Sequence, residues 1–165
     1  MKGLSRHGLT ARLKAPHSVL ELAVYADGVR SPVAVKLVKA AVRIVCLAEK
    51  VREARLSISM ISDRRIASLN RRHFGRRCAT DVISFAFAPM PNSGVVGEVY
   101  IAPRVARMNA RRLGVTVREE TVRLVIHGVL HVLGYDHPED ASRLQSAMWR
   151  RQEALVRRAL TVGPA

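Results

Sequence analysis

Residues 127–137 read HGVLHVLGYDH, and three of the chain's six histidines fall inside this otherwise apolar stretch. Few local patterns restrict a fold more. His127 and His131 are four apart, so a helix projects both from one face, about 5–6 Å apart at Cβ. Gly134 follows three residues later, where the helix must end, because glycine takes positive φ at little cost. The turn it permits can carry His137 back toward the other two. Three neutral imidazoles leave a tetrahedral zinc one open position, the layout of a catalytic rather than a closed structural site. The competing reading makes His127 and His131 hydrogen-bonded core histidines. Burying three separate polar rings has a desolvation cost that shared coordination removes, which favours the metal.

The same spacing occurs in zincin proteases as H-E-x-x-H-x-x-G-x-x-H, where the glutamate is the general base. Here the residue after the first histidine is Gly128. Zinc hydrolysis remains available, since zinc itself lowers the pKa of water. A zinc peptidase is disfavoured.

The flanking sequence predicts an α+β fold: a small mixed four-stranded sheet packed with about five helices. Strands are expected at 19–25, 56–62, 81–87 and 95–102, the last two as a hairpin joined at PMPNSG. Apolar residues from Val33 to about Glu53 recur at helical spacing. Ser62 or Asp63 can cap a short helix, and Pro103 can open another. RRHFGRRCAT (71–80) reads as a basic loop. Thr116 and Glu119 form a capping box for the helix that carries the histidines. Pro138 is expected in the first turn of a last helix with Ala141, Leu144, Met148, Leu155 and Ala159 on one face.

Charge narrows the partners. Lys plus Arg number 28 against 13 acids, a formal +15, which favours a polyanion and most simply nucleic acid. Of the arginine groups, Arg71, Arg72, Arg76 and Arg77 are the phosphate-contact candidates, because they lead into the 81–87 strand. Aromatic residues make up 4%, so a base-stacking platform is not evident. Cys46 and Cys78 stand far apart without CxxC spacing, which suits a reducing cytoplasm. No apolar run approaches the roughly 18 residues of a membrane span, so no membrane partner is expected. Residues 1–17 hold four basic residues and no acid, and read as an extension outside a single 18–165 domain.

With these residues in view, HGVLHVLGYDH resembles the signature of the YbeY family, H-G-x-L-H-x-x-G-Y-D-H, without a mismatch. Thr80-Asp81-Val82-Ile83-Ser84-Phe85 is similar to its T-D-V-[LI]-S-F. Gly97-Glu98-Val99 is similar to its G-D-I, with Glu for Asp. LSISMIS, Asp63 and Leu69-Asn70 extend the likeness to about residues 19–160. The resemblance implies a zinc-dependent endoribonuclease of ribosomal RNA maturation and small-subunit quality control. His127, His131 and His137 would bind one zinc, with no further small-molecule cofactor. Asp136 could orient a ligand imidazole, or simply cap the turn. Phe74 stands where the family often has an arginine. The alternative functional class is a ribosome-assembly factor that binds RNA without cutting it.

Overall fold

EARLSISM alternates at period two, with Ala54, Leu56, Ile58 and Met60 all buried and their neighbours partly or fully exposed. That pattern makes a strand with one face turned to a core. A computed structural model of the chain describes residues 19–88, 94–138 and 140–161. The expected 1–17 extension and most of PMPNSG lie outside the described residues.

The elements run β1 (Val19–Ala26), α1 (Val35–Ala48), β2 (Glu53–Met60), α2 (Asp63–Phe74), β3 (Val82–Phe87), β4 (Val95–Ile101), α3 (Pro103–Leu113), α4 (Val117–Val132) and α5 (Ala147–Thr161). The four strands form one mixed sheet in the order β1-β2-β4-β3. β1 and β4 run parallel to β2, and β3 runs antiparallel to β4. This is the α+β class expected. Helix α1 makes the parallel crossover from β1 to β2.

The local signals act as their chemistry requires. The Ser62 hydroxyl accepts from the Arg65 N–H at 3.3 Å and starts α2. Thr116 Oγ1 accepts from the Glu119 N–H at 3.0 Å and starts α4. The Glu119 carboxylate bonds Arg123. Pro103 occupies the first turn of α3.

Helix α4 is the centre of the fold. It is buried on nearly every side, with Val122, Val125, Ile126, Val129 and Leu130 each at most 1% exposed. A helix apolar around most of its circumference belongs inside a layer rather than on top of one. It packs on β3 and β4 below and is flanked by α1, α3 and α5. Two glycines set the closeness of that contact. A Cβ on Gly97 of β4 would lie 2.3 Å from Val132 Cγ1, and one on Gly128 of α4 would lie 2.4 Å from Val99 Cγ1. Val132 therefore packs on bare strand at Gly97, and Val99 packs on bare helix at Gly128.

Four boundaries differ from the sequence reading by three residues or more, and several others by one or two. The first helix ends at Ala48, not near Glu53, because Glu49 leaves helical geometry and Lys50 takes φ 57° to release the chain into β2. β2 accordingly begins at Glu53 rather than Leu56, paired with Val19. Arg71, Arg72, His73 and Phe74 are the last turn of α2 rather than a loop, and Gly75, at φ 69°, ends that helix. The last helix starts at Ala147, after a separate 3-10 turn at Ala141–Gln145. Leu144 is consequently 52% exposed instead of joining the apolar face.

Candidate metal centre

α4 carries His127 and His131 side by side, and Gly134, at φ 89°, then reverses the chain. The Tyr135 N–H donates to the Leu130 carbonyl at 3.0 Å, which closes the turn. The Asp136 carboxylate accepts the His137 backbone N–H at 2.8 Å and holds the following residue in place. One nitrogen from each of His127, His131 and His137 falls within 4.8 Å of the others, a set that can hold a metal ion.

The proton positions follow from the partners of the other ring nitrogens. His127 Nδ1 lies 2.8 Å from Gln152 Oε1. The Gln152 amide is oriented by its NH2, which donates to the Glu153 carboxylate at 3.0 Å, so its oxygen faces the ring. His131 Nδ1 lies 2.9 Å from the Tyr135 carbonyl, and His137 Nδ1 lies 2.8 Å from the Pro138 carbonyl. All three partners are acceptors only, so each Nδ1 carries the proton and each Nε2 presents a lone pair. Burial pushes the His127 imidazole down to about 4, and repulsion from His131 adds to it. Burial pushes His131 down as well, and the closeness of a further imidazole, His137, adds to it. Both rings are thus neutral at pH 7.

The Nε2 atoms of His127 and His131 are 3.0 Å apart. With both ring protons committed elsewhere, no hydrogen bond joins them, and two lone pairs face each other. His137 Nε2 is buried and has no hydrogen-bond partner. Three converging lone pairs with no proton to share fit a divalent cation that accepts imidazole nitrogen. A set of hydrogen-bonded core histidines would have satisfied these atoms.

Sequence reasoning missed the residue that orients the first ring. Gln152, 1% exposed, sits on the apolar stripe of α5 with Met148, Leu155, Val156 and Ala159. A lone amide in such a stripe is the signal that could have found it. Behind Gln152, Glu153 bonds Arg123, which also holds Glu119 and Glu120. Tyr135 does more than pack. Its carbonyl holds His131, and its hydroxyl donates to Glu49 at 2.7 Å, tying the turn to the end of α1. Asp136 contacts backbone here, while an amide and two carbonyls hold the imidazoles. Gln152→Leu removes the acceptor at His127 Nδ1 without changing side-chain size greatly. Metal affinity should fall roughly 10- to 100-fold, which competition with a chromogenic chelator would measure. An unchanged affinity would show that α5 does not orient the ring.

The histidines open into a cleft of about 600 Å³, lined also by Asn70, Phe74, Arg76, Thr80, Asp81, Ser84, Asp136 and Arg143. Of the four candidate arginines, Arg76 lines this cleft. Arg71, Arg72 and Arg77 are exposed and are not among its lining residues. Arg143, which sequence reasoning did not single out, reaches it from the 3-10 turn. Asp81 accepts from the Asn109 amide at 2.9 Å and from the Val82 N–H at 2.9 Å, so it anchors the start of β3. Asn70 donates to the Cys78 carbonyl at 2.9 Å and pins the 75–80 segment beside the cleft.

Comparison with known proteins gives a consistent result. The family described as Endoribonuclease YbeY matches residues 26–159. The Endoribonuclease YbeY of Anaeromyxobacter sp. (strain Fw109-5) is 43% identical over 116 residues, spanning 67% of this chain and 60% of that protein. The protein of the same name from Thermotoga sp. (strain RQ2) is 32% identical over 108 residues, spanning 66% of this chain and 69% of its own. The match thus takes in less than two thirds of the Anaeromyxobacter relative's length. The solution structure of TM1509 from Thermotoga maritima is similar over 85% of this chain and 89% of its own, with 28% identity and a TM-score of 0.60.

Proposed function

This chain belongs to the endoribonuclease YbeY family, and on that premise we propose that it cleaves RNA phosphodiesters at a zinc ion held by His127, His131 and His137. The observation that carries this reading is the convergence of three imidazole lone pairs at the floor of a cleft with arginines in its walls. Zinc bound there would supply a Lewis acid at the scissile phosphate and a means of making water nucleophilic near neutral pH.

The chain's own groups do the rest. Gln152 and the carbonyls of Tyr135 and Pro138 keep the three Nδ1 protons away from the cleft. Arg76 and Arg143 offer charged donors to a phosphodiester lying across the mouth. Arg71, Arg72 and Arg77, farther out on α2 and the segment after it, add attraction for the flanking backbone, consistent with the net +15. The substrate in this reading is ribosomal RNA, met during maturation of the small subunit. The setting is the cytoplasm; no helix among the described residues is long and apolar enough to cross a membrane.

Removing the metal tests the reading. Cleavage of a labelled ribosomal RNA fragment should vanish after chelation and dialysis, and return on adding one equivalent of zinc. Undiminished cleavage by the metal-free protein would sink the metal mechanism. RNA binding without cleavage by the zinc-loaded protein would leave the assembly-factor reading in its place.

A further inference from the structure

Phe74 is 53% exposed, a large apolar ring left in solvent at the rim of the histidine cleft. Its position is set by the helix end and by one neighbouring ring. It is the last residue of α2, whose backbone Gly75 then terminates. Its ring lies nearly parallel to Phe85 of β3, at 17° with centroids 6.2 Å apart. Phe85 is itself held edge-on by His73 at 4.8 Å and by Tyr100 at 6.1 Å. One side of the Phe74 ring is therefore braced by a packed aromatic cluster while much of the ring stays in solvent. The sequence alone suggested no stacking platform. The fold gathers four rings, His73, Phe74, Phe85 and Tyr100, from α2, β3 and β4.

Such a surface has to be matched to an occupant. A phosphate gains nothing from a phenyl ring, which has no donor. A planar base does, because base–aromatic stacking needs only a π-face. The cleft that Phe74 borders is also lined by Arg76 and Arg143, charged groups suited to the backbone on either side of an unpaired base. We propose that Phe74 stacks one unpaired nucleobase of an RNA strand whose phosphate lies in the histidine cleft. The proposal rests on the RNA-cleaving reading above and assigns Phe74, a residue that reading does not use, to seating the strand.

The test uses the metal-loaded protein and a fluorescent single-stranded RNA with 2′-O-methyl riboses, its integrity checked on a gel. Phe74→Ala should weaken binding roughly tenfold with metal content unchanged. Phe74→Trp should retain affinity, and Phe74→Leu, apolar but not planar, should not. In a set of strands with one abasic position each, one member should bind wild type about as weakly as Phe74→Ala binds the intact strand. That strand should lose little more on Phe74→Ala. 2-Aminopurine at that position should be quenched by wild type and not by Phe74→Ala. Equal affinity of wild type and Phe74→Ala for the intact strand would overturn the platform and leave the ring as a protein contact. Leucine performing as well as phenylalanine would overturn stacking in favour of simple apolar burial. If wild type binds no RNA at all, the parent reading fails together with the platform, an outcome distinct from the other two.

Discussion

His131→Ala should take bound metal from near one ion per chain to near zero, and RNA cleavage should disappear with it. His131 is the middle residue of the triad in sequence, and its Nε2 lies 3.0 Å from that of His127. Loss of a group that merely orients a ligand costs roughly 10- to 100-fold in affinity. Loss of the ligand itself should exceed that. The fold should survive. Alanine is the strongest helix former, and the position is on α4 rather than in its cap. The Tyr135 carbonyl loses its partner, a cost of about 1–3 kcal/mol if no water replaces it, so the variant should still melt cooperatively at a lower temperature. Elemental analysis of wild type and variant purified in parallel decides the matter. Equal metal in both would remove the site.

Gly128→Glu should prevent folding. The position is the one at which zincin proteases carry their general base, so the variant asks whether that chemistry could have been accommodated here. A Cβ at 128 would lie 2.4 Å from Val99 Cγ1 and 3.0 Å from Ser84 Oγ. Val99 is fully buried on β4, and a β-branched side chain has little rotamer freedom to retreat. Relief requires lifting α4 off the sheet, which would uncover the most buried helix in the molecule. A glutamate adds an ionisable group with no prepared partner in the same place. Gly128→Ala isolates the steric part. Overpacking costs about 1–3 kcal/mol, offset by about 1 kcal/mol of helix propensity. At about 2–4 °C per kcal/mol for a chain of this size, its melting temperature should drop by a few degrees, while Gly128→Glu should be insoluble or lack a cooperative transition. A Gly128→Glu protein that melts like wild type would show that the helix–sheet contact is looser than its geometry.

These outcomes separate two kinds of information. The spacing of His127, His131 and His137 around Gly134 was legible because it depends on one helix and one turn. The i,i+4 geometry and the positive φ of glycine act within a few residues, so the sequence carries them whole. The caps at Ser62 and Thr116 and the alternation in EARLSISM are local in the same sense. The end of α1 is not local in that sense, because helical periodicity in Val33–Glu53 runs on past Ala48. What stops it is the need for β2 to start opposite Val19, a partner 34 positions away.

The strand order β1-β2-β4-β3, the reach of Gln152 across 25 positions to His127, and the gathering of His73, Phe74, Phe85 and Tyr100 belong to tertiary structure alone. No period or cap encodes them. They arise when β3 joins the sheet edge beside α2, and when α5 lays its apolar stripe on α4. Gly128 spans both levels. Its identity, read from the sequence, disfavoured a peptidase. The reason for that identity is the seat of α4 on Val99, which exists only once helix and sheet have packed.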